Sequence, residues 1–269
     1  MASPLAAPGP WDLVASAYSA EQVPQLAHFS REALRLAEVR PPAAIVDVAC
    51  GPGTLASLAA AAGLSVSALD FSPGMIAELR ARIDAEGASA RVEAVVGDGM
   101  ALPFEEASFD AGFSMFGLMF FPDRDRGFRE LLRVVKPGAP VIVSSFPPLE
   151  RFELLAAALA AMAEVLPPPP SATPFKPPLA TREECASEMQ KAGFREVCVH
   201  DVTYEAPAGT VEDFWAMMSR SSAPLALRKA AMGERWNDVS SAVVERLRAK
   251  LGAGAVAASM PAFLTFGRR

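Results

Sequence analysis

The sequence predicts an α/β fold: seven strands in a mostly parallel sheet, helices on both faces, an N-terminal helical cap and a late helical insertion before the last strand. Strand-like and helix-like segments alternate five times between residues 43 and 146. Such alternation is typical of a parallel sheet covered on both faces. A further strand-like segment at 194–204 and a closing one at 263–266 complete the seven.

Composition limits the possible functions of the chain. Its 269 residues can bury a sizeable core, and 31 acids against 25 bases give a net charge of −6 without a Lys/Arg block. We therefore expect no nucleic-acid partner. Three separated cysteines and two histidines argue against a metal site or a disulfide framework and are consistent with a cytoplasmic protein. We expect a monomer or a homodimer. The most apolar helix-like run, 154–163, is too short for a membrane span, and the N-terminus has no basic segment typical of a signal peptide.

The first 42 residues are predicted to lie outside the sheet. Residues 1–10 are rich in Pro, Gly and Ala, which predicts a disordered arm. Residues 11–42 form the predicted helical cap, interrupted at Pro24 and ended by two consecutive prolines.

The segment around Gly51 and Gly53 is the centre of the predicted site. An apolar strand ends in Asp47, passes through the two glycines and continues as a helix with apolar residues at helical spacing. Glycines allow a ligand to approach the backbone closely, and the helix start offers free N–H groups. The turn also matches the dinucleotide pattern G-x-G-x-x-G/A, and Asp70 follows 19 positions after Gly51. Pro52 cannot donate to a pyrophosphate, which argues against a dinucleotide without excluding it.

Polar residues follow the next predicted strands. The segments 64–69, 91–96, 109–114 and 141–143 have the composition of buried strands. Ser72 followed by Pro73 predicts the start of a helix. Because ligands bind beyond the carboxyl ends of parallel strands, we expect a shared site there. Four residues fall at those ends: Asp47, Asp70, Asp98 and Ser114.

The second half of the chain extends and covers the predicted core. A helix is predicted at 150–166, then a Pro-rich loop at 167–178, and Thr181 opens another helix as a T-x-x-E capping box. The core domain is thus predicted to span 43–208, a helical lid or substrate insertion 209–256, and the final strand 257–269.

Five motifs in this order resemble the class I S-adenosylmethionine-dependent methyltransferases, in the small-molecule branch that includes the ubiquinone/menaquinone-pathway enzymes. The resemblance covers residues 40–146, and the helix end at 192–194 and the last strand extend it. Ala49 stands where the family usually has glycine. The motifs are VDVACGPG (46–53), LDFSPGM (69–75), GDGMALPF (97–104), SFD (108–110) and LRVVKPG (132–138).

The resemblance implies S-adenosylmethionine as the cofactor and a role for each matching residue. Asp47, Ala49, Gly51 and Gly53 would lie under the methionine part, and Asp70 would accept hydrogen bonds from both ribose hydroxyls. The cofactor's ammonium would meet the backbone of Ser114 and Met115. The adenine would be held by the remaining cofactor residues: Phe71, Met75, Asp98, Gly99 and Met100.

Fewer residues can be assigned to the methyl acceptor. His28 in the N-terminal helices is the first candidate for a general base, and Tyr18 is a candidate lid residue next to the cofactor. Apolar residues in two segments predict an acceptor pocket, although packing of the helical insertion would explain the same pattern. These are Met115, Phe116, Met119, Phe120 and Phe121 after the fourth strand, and Phe214, Trp215, Met217 and Met218 in the insertion.

The sequence therefore predicts an enzyme that methylates an O or C nucleophile of a small, largely apolar metabolite, aromatic ones included. A small-amine N-methyltransferase is the first alternative, because an amine needs no base. A non-catalytic cofactor-binding module and an NAD(P)-dependent oxidoreductase are further alternatives. The last is weakened because neither Tyr18 nor Tyr204 is followed four positions later by lysine.

Overall fold

The structure, a computed structural model, describes residues 3–166, 177–207, 209–252 and 254–269. Most of the predicted Pro-rich loop, residues 167–176, lies outside this range. The described part of the chain forms one seven-stranded sheet: β1 (Ala44–Val48), β2 (Ser65–Asp70), β3 (Val92–Val96), β4 (Ala111–Ser114), β5 (Pro140–Ser145), β6 (Arg195–Pro207) and β7 (Ala257–Arg268).

The strand order confirms the predicted mostly parallel sheet. The strands lie in the order β3-β2-β1-β4-β5-β7-β6. β1 to β5 pair in parallel, and β7 is antiparallel to both of its neighbours. The switch point in strand order lies between β1 and β4. The carboxyl ends of these two strands are therefore the expected ligand-binding edge of the sheet.

Ten α-helices lie within the described residues. Their bounds are α1 (Gly9–Glu21), α2 (Val23–Ala37), α3 (Thr54–Ala61), α4 (Pro73–Ala85), α5 (Arg124–Val134), α6 (Glu153–Val165), α7 (Arg182–Lys191), α8 (Val211–Ser221), α9 (Ala223–Met232) and α10 (Arg235–Leu251). Helices α2, α3 and α4 pack on one face of the sheet, and α5 and α7 pack on the other. No helix of the described segments is long and apolar enough to cross a membrane.

The N-terminal segment differs from the predicted disordered arm over residues 3–10. Pro4–Ala6 form a 3-10 turn capped by the Ser3 hydroxyl, and α1 begins at Gly9. The Trp11 indole N–H donates to the Leu5 carbonyl at 2.9 Å, which folds the turn back onto the helix. Composition alone could not show this tertiary contact.

The helix starts follow local sequence. Pro24 lies in the first turn of α2. N–H groups in the first turn have no acceptor within the helix, so the N–H that proline lacks is not needed there. The Ser72 hydroxyl accepts from the Met75 N–H at 3.1 Å and caps α4 as predicted. Thr181 caps α7 in the same way, but the Glu184 carboxylate accepts from the Ala180 N–H rather than from Thr181. The predicted capping box is therefore only half formed.

The late helices form a cluster of their own. Residues of α6, α8 and α10 pack together against β6 and β7, which extend beyond the rest of the sheet. Trp215 of α8 stacks on Trp236 of α10 with ring centroids 5.9 Å apart. This cluster contacts the junction of α1 and α2 through the Gln22 side chain, whose amide donates to the Ser221 hydroxyl at 2.7 Å.

Candidate functional site

A pocket opens at the carboxyl ends of β1, β2 and β4, beneath α1 and α2. Most of the residues predicted to bind a cofactor line it: Tyr18, Asp47, Ala49, Gly51, Asp70, Phe71, Met75, Asp98, Gly99, Met100 and Met115. The three acids that close separate strands therefore share one cavity.

Asp70 links the glycine turn to the start of α4. Its Oδ2 accepts from the Gly51 N–H at 2.8 Å, and its Oδ1 accepts from the Ser72 N–H at 2.9 Å. Each oxygen retains a lone pair for a second donor. Burial raises the pKa of Asp70 to about 6, against the opposing effect of these two N–H donors. The carboxylate is therefore fixed in place and still able to accept two hydroxyl groups.

Asp47 is a buried acid whose surroundings indicate which charge a ligand of the pocket would carry. It is 1% exposed, and neither carboxylate oxygen has a hydrogen-bond partner among the described residues. Burial and the nearby Asp70 raise the pKa of Asp47 to about 8. The Ala56 N–H lowers this pKa slightly, although it does not form a hydrogen bond with the carboxylate. A buried carboxylate without a donor is costly unless a ligand supplies one. The residues present therefore fit a ligand that carries positive charge.

The glycine turn serves both the ligand and the packing. Gly51 has φ +54°, and a Cβ there would project into open space. Gly53 has φ +81°, and a Cβ there would collide with the Leu79 side chain of α4. Gly53 does not line the pocket. The structure thus assigns Gly53 to the turn and its packing, and it leaves Gly51 open to the ligand.

Ser114 and Asp98, two other predicted site residues, differ in their access to the pocket. Ser114 is fully buried, and its hydroxyl accepts from the Leu118 N–H at 3.2 Å, so its side chain supports the turn after β4 and does not line the pocket. Asp98 is exposed at the mouth, where its Oδ1 accepts from the Met100 N–H at 2.8 Å. Its second oxygen remains available to a ligand.

Ala49 occupies the position at which the resembling family usually has glycine. Its φ is +56°, which is uncommon for a residue with a Cβ. The space for its methyl group comes from Gly117 in the turn after β4, because a Cβ at Gly117 would collide with the Ala49 Cβ. The methyl group is therefore accommodated by a glycine on the neighbouring turn.

Helix α1 covers the pocket and is held by Asp12. The Asp12 Oδ1 accepts from the Ser72 hydroxyl at 2.6 Å and from the Gly74 N–H at 2.8 Å. A Cβ at Gly74 would lie 3.1 Å from the Asp12 Cα, so the close contact depends on glycine. Tyr18 on the same helix lines the pocket, and burial, with a contribution from Asp70, raises the pKa of its phenol. The phenol is therefore a neutral hydrogen-bond donor.

Several residues that line the pocket were not predicted from the sequence. They lie on the N-terminal segment, on α2 and at the start of α3: Leu5, Ala6, Trp11, Leu26, Ser30 and Thr54. Leu26 and Ser30 are four positions apart and therefore share one face of α2. That spacing was readable in the sequence, but nothing in it indicated that this face meets the pocket.

The predicted acceptor residues divide into two groups. Phe116 and Phe120 line the pocket, whereas Met119 is buried in the core below it. The predicted contributions of Phe214, Trp215 and Met218 are wrong for this pocket, because none of the three lines it. Their helix turns its apolar face to α6 and α10, and the Trp215 indole donates to the Ser240 hydroxyl at 2.8 Å.

His28 also lies away from the pocket. Its ring stacks on Tyr204 with centroids 5.3 Å apart. On α2 it stands midway between Leu26 and Ser30, so its side chain projects from the opposite face of the helix. The structure therefore does not support His28 as a general base. Among the described residues that line the pocket there is no lysine, arginine or histidine.

Comparison with known proteins identifies the family. A sequence model of the protein family described as "Methyltransferase domain" matches residues 45–138. Demethylmenaquinone methyltransferase from Corynebacterium kroppenstedtii is 33% identical over 175 residues, which cover 61% of this chain and 73% of that protein. The Thermus thermophilus protein of the same name is 38% identical over 120 residues, 44% of this chain and 54% of that protein. The chain spans about half the length of most curated relatives it matches.

The fold is also shared with solved structures. The [4+2]-cyclase SpnF aligns with a TM-score of 0.56 at 20% identity and covers 90% of this chain and 80% of that one. At this identity the likeness concerns the fold, and the cyclase activity in that protein's name shows that the fold alone does not specify a reaction.

Proposed function

The chain belongs to the class I S-adenosylmethionine-dependent methyltransferases, and from that premise we propose that it methylates an O or C nucleophile of a small, largely apolar metabolite, aromatic ones included. One observation carries the proposal. Asp47, Asp70 and Asp98 line a single pocket, and the buried Asp47 carboxylate has no donor among the described residues. A cationic nucleoside would satisfy all three.

We assign the cofactor residues from this geometry. Asp70 would accept the two ribose hydroxyls with its remaining lone pairs, and Asp98 would accept from the adenine amino group. Asp47 would face the positively charged amino-acid end across the open side of Gly51. Phe71 and Met75 would enclose the base, and the backbone near Met115 would meet the ammonium.

The other half of the pocket fits an apolar acceptor. Leu26, Met115, Phe116 and Phe120 line it, and Trp11 packs edge-on against Phe120 with ring centroids 5.1 Å apart. Such a lining excludes water and holds an acceptor by shape. When bound, S-adenosylmethionine supplies a methyl group on a positively charged sulfur that an electron-rich atom can attack directly. The protein's contribution would therefore be mainly positioning.

Calorimetry with S-adenosylhomocysteine and with NAD tests the cofactor assignment. We expect micromolar binding of the former and none of the latter, and the opposite result would contradict the proposal. Turnover of S-adenosylmethionine across an acceptor panel then tests the activity. The panel includes demethylmenaquinone, which gives the curated relatives their name. Cofactor binding without turnover of any acceptor would favour a binding module.

A small amine is the second candidate acceptor. The pocket lining has three acids, all assigned above to the cofactor, and within the described residues no histidine or lysine to act as a general base. An amine needs no such base, and the acids would attract it. Mass spectrometry of the methylated product separates the candidates, because the methyl group is found on nitrogen in one case and on oxygen or carbon in the other.

A further inference from the structure

Ser30 is a polar residue in the apolar half of the pocket. It lies on α2 one turn after Leu26 and is 1% exposed. The residue before it, Phe29, packs edge-on against Phe116 with ring centroids 5.4 Å apart. Leu26, which shares a helix face with Ser30, belongs to the same apolar cluster as Phe116. Ser30 also lines the same cavity as Leu26 and Phe116.

The Ser30 hydroxyl is not used by the fold. No hydrogen bond joins it to any of the described residues, although serines inside helices often bond to a carbonyl of the preceding turn. Ser221 on α8 shows that arrangement, with its hydroxyl donating to the Met217 carbonyl at 2.8 Å. Because Ser30 lines the pocket, its hydroxyl is accessible from the cavity, and a ligand that covers it without a hydrogen bond would lose binding free energy.

Other polar groups of the pocket are already assigned. Asp47, Asp70 and Asp98 belong to the proposed cofactor side, and Tyr18 is close enough to Asp70 for the carboxylate charge to influence its phenol. With no cation in the described lining, an anionic acceptor would meet only like charge. The acceptor's polar atom would therefore be uncharged, and a hydroxyl suits it because a hydroxyl can both donate and accept.

We propose that the Ser30 hydroxyl binds one uncharged oxygen of the acceptor. This hydrogen bond would fix which edge of the acceptor faces the methyl donor. This inference rests on the proposed function and adds the group that orients the substrate. It also gives an order of preference for simple aromatic probes: one with a hydroxyl first, the bare ring second and a carboxylate last.

Equilibrium dialysis of the S-adenosylhomocysteine-saturated protein with naphthalene, 2-naphthol and 2-naphthoate tests this order. We expect 2-naphthol to bind about 3- to 10-fold more tightly than naphthalene, as one net hydrogen bond provides, and 2-naphthoate to bind most weakly. In Ser30→Ala the preference for 2-naphthol should disappear while naphthalene binding is kept. Alanine is the best helix former, so α2 should remain folded.

The matched control is Ser219→Ala. Ser219 is also a buried serine whose hydroxyl has no partner, but it lies on α8 and does not line the pocket. This variant should keep the parent's preference. The inference is overturned if Ser30→Ala keeps the preference, if the parent shows none, or if neither naphthalene nor 2-naphthol binds.

Two further measurements separate this inference from the proposed function. If Ser30→Ala weakens S-adenosylhomocysteine binding itself, Ser30 belongs to the cofactor side and the inference is wrong. If the parent does not bind S-adenosylhomocysteine, the proposed function fails. The same three probes, dialysed against the protein alone, then still test whether Ser30 selects a hydroxyl.

Discussion

Binding of S-adenosylmethionine is expected to release about one proton from the pocket near neutral pH. The pKa of the unliganded Asp47 is about 8 and that of Asp70 about 6. At pH 7 Asp47 is then protonated in about nine-tenths of the molecules and Asp70 in about one-tenth. A positive charge beside Asp47 lowers its pKa and drives the proton off.

The sign of the pH dependence follows from this release. The complex holds fewer protons than the free protein, so affinity rises with pH, by up to about tenfold per unit. The rise should continue up to the pKa of free Asp47, about 8, and then level off. An uncharged partner at the same place would give no such rise.

Titration calorimetry measures the proton directly. The titration is carried out at one pH in two buffers with different ionisation enthalpies, and the difference in heat gives the number of protons released. Asp47→Asn should reduce the release to about 0.1, the share left on Asp70. The reasoning is refuted if the parent releases less than about 0.3 protons, takes protons up, or behaves like Asp47→Asn.

Three more expectations concern the same region. Asp70→Asn should weaken S-adenosylhomocysteine binding by about 10- to 100-fold, as loss of charge-assisted hydrogen bonds implies. The control Asp110→Asn, at the opposite edge of the sheet, should not weaken this binding. If calorimetry gives Asp70→Asn the same affinity as Asp110→Asn, the ribose assignment is contradicted. Gly53→Ala should lower the free energy of unfolding by at least about 1 kcal/mol because of its positive φ and the Leu79 side chain, and an unchanged urea midpoint would exclude this. Because burial raises the pKa of Asp47, the folded apoprotein holds a proton that the unfolded chain releases. Its stability should thus fall by about 1 kcal/mol per unit between pH 6 and 8, and a melting temperature that falls equally in Asp47→Asn would argue against this origin.

The sheet and the position of its three acids could be predicted from the sequence because both depend on the order of segments along the chain. Each acid directly follows a strand, and parallel strands present their carboxyl ends at one edge. Once the alternation of strands and helices was recognised, the meeting of Asp47, Asp70 and Asp98 at one cavity followed from topology.

The covering elements could not be predicted in the same way. An apolar face at helical spacing shows that a helix is buried, but it does not show against what. Trp215 therefore looked equally suited to an acceptor pocket and to the helical cluster in which it lies. His28 attracted attention by its chemistry, whereas Ser30, two positions later, faces the cavity. Asp12 gave no signal, because its two hydrogen bonds join residues about 60 positions apart.

Ala49 and Gly117 couple two turns that are distant in the chain. The volume between them holds a single methyl group, which in this protein belongs to position 49. A homologue with glycine at position 49 would have room for a small side chain at 117, whereas two side chains together would push the β1 and β4 turns apart. The identity of one position therefore restricts the other, because a Cβ at position 117 requires glycine at position 49.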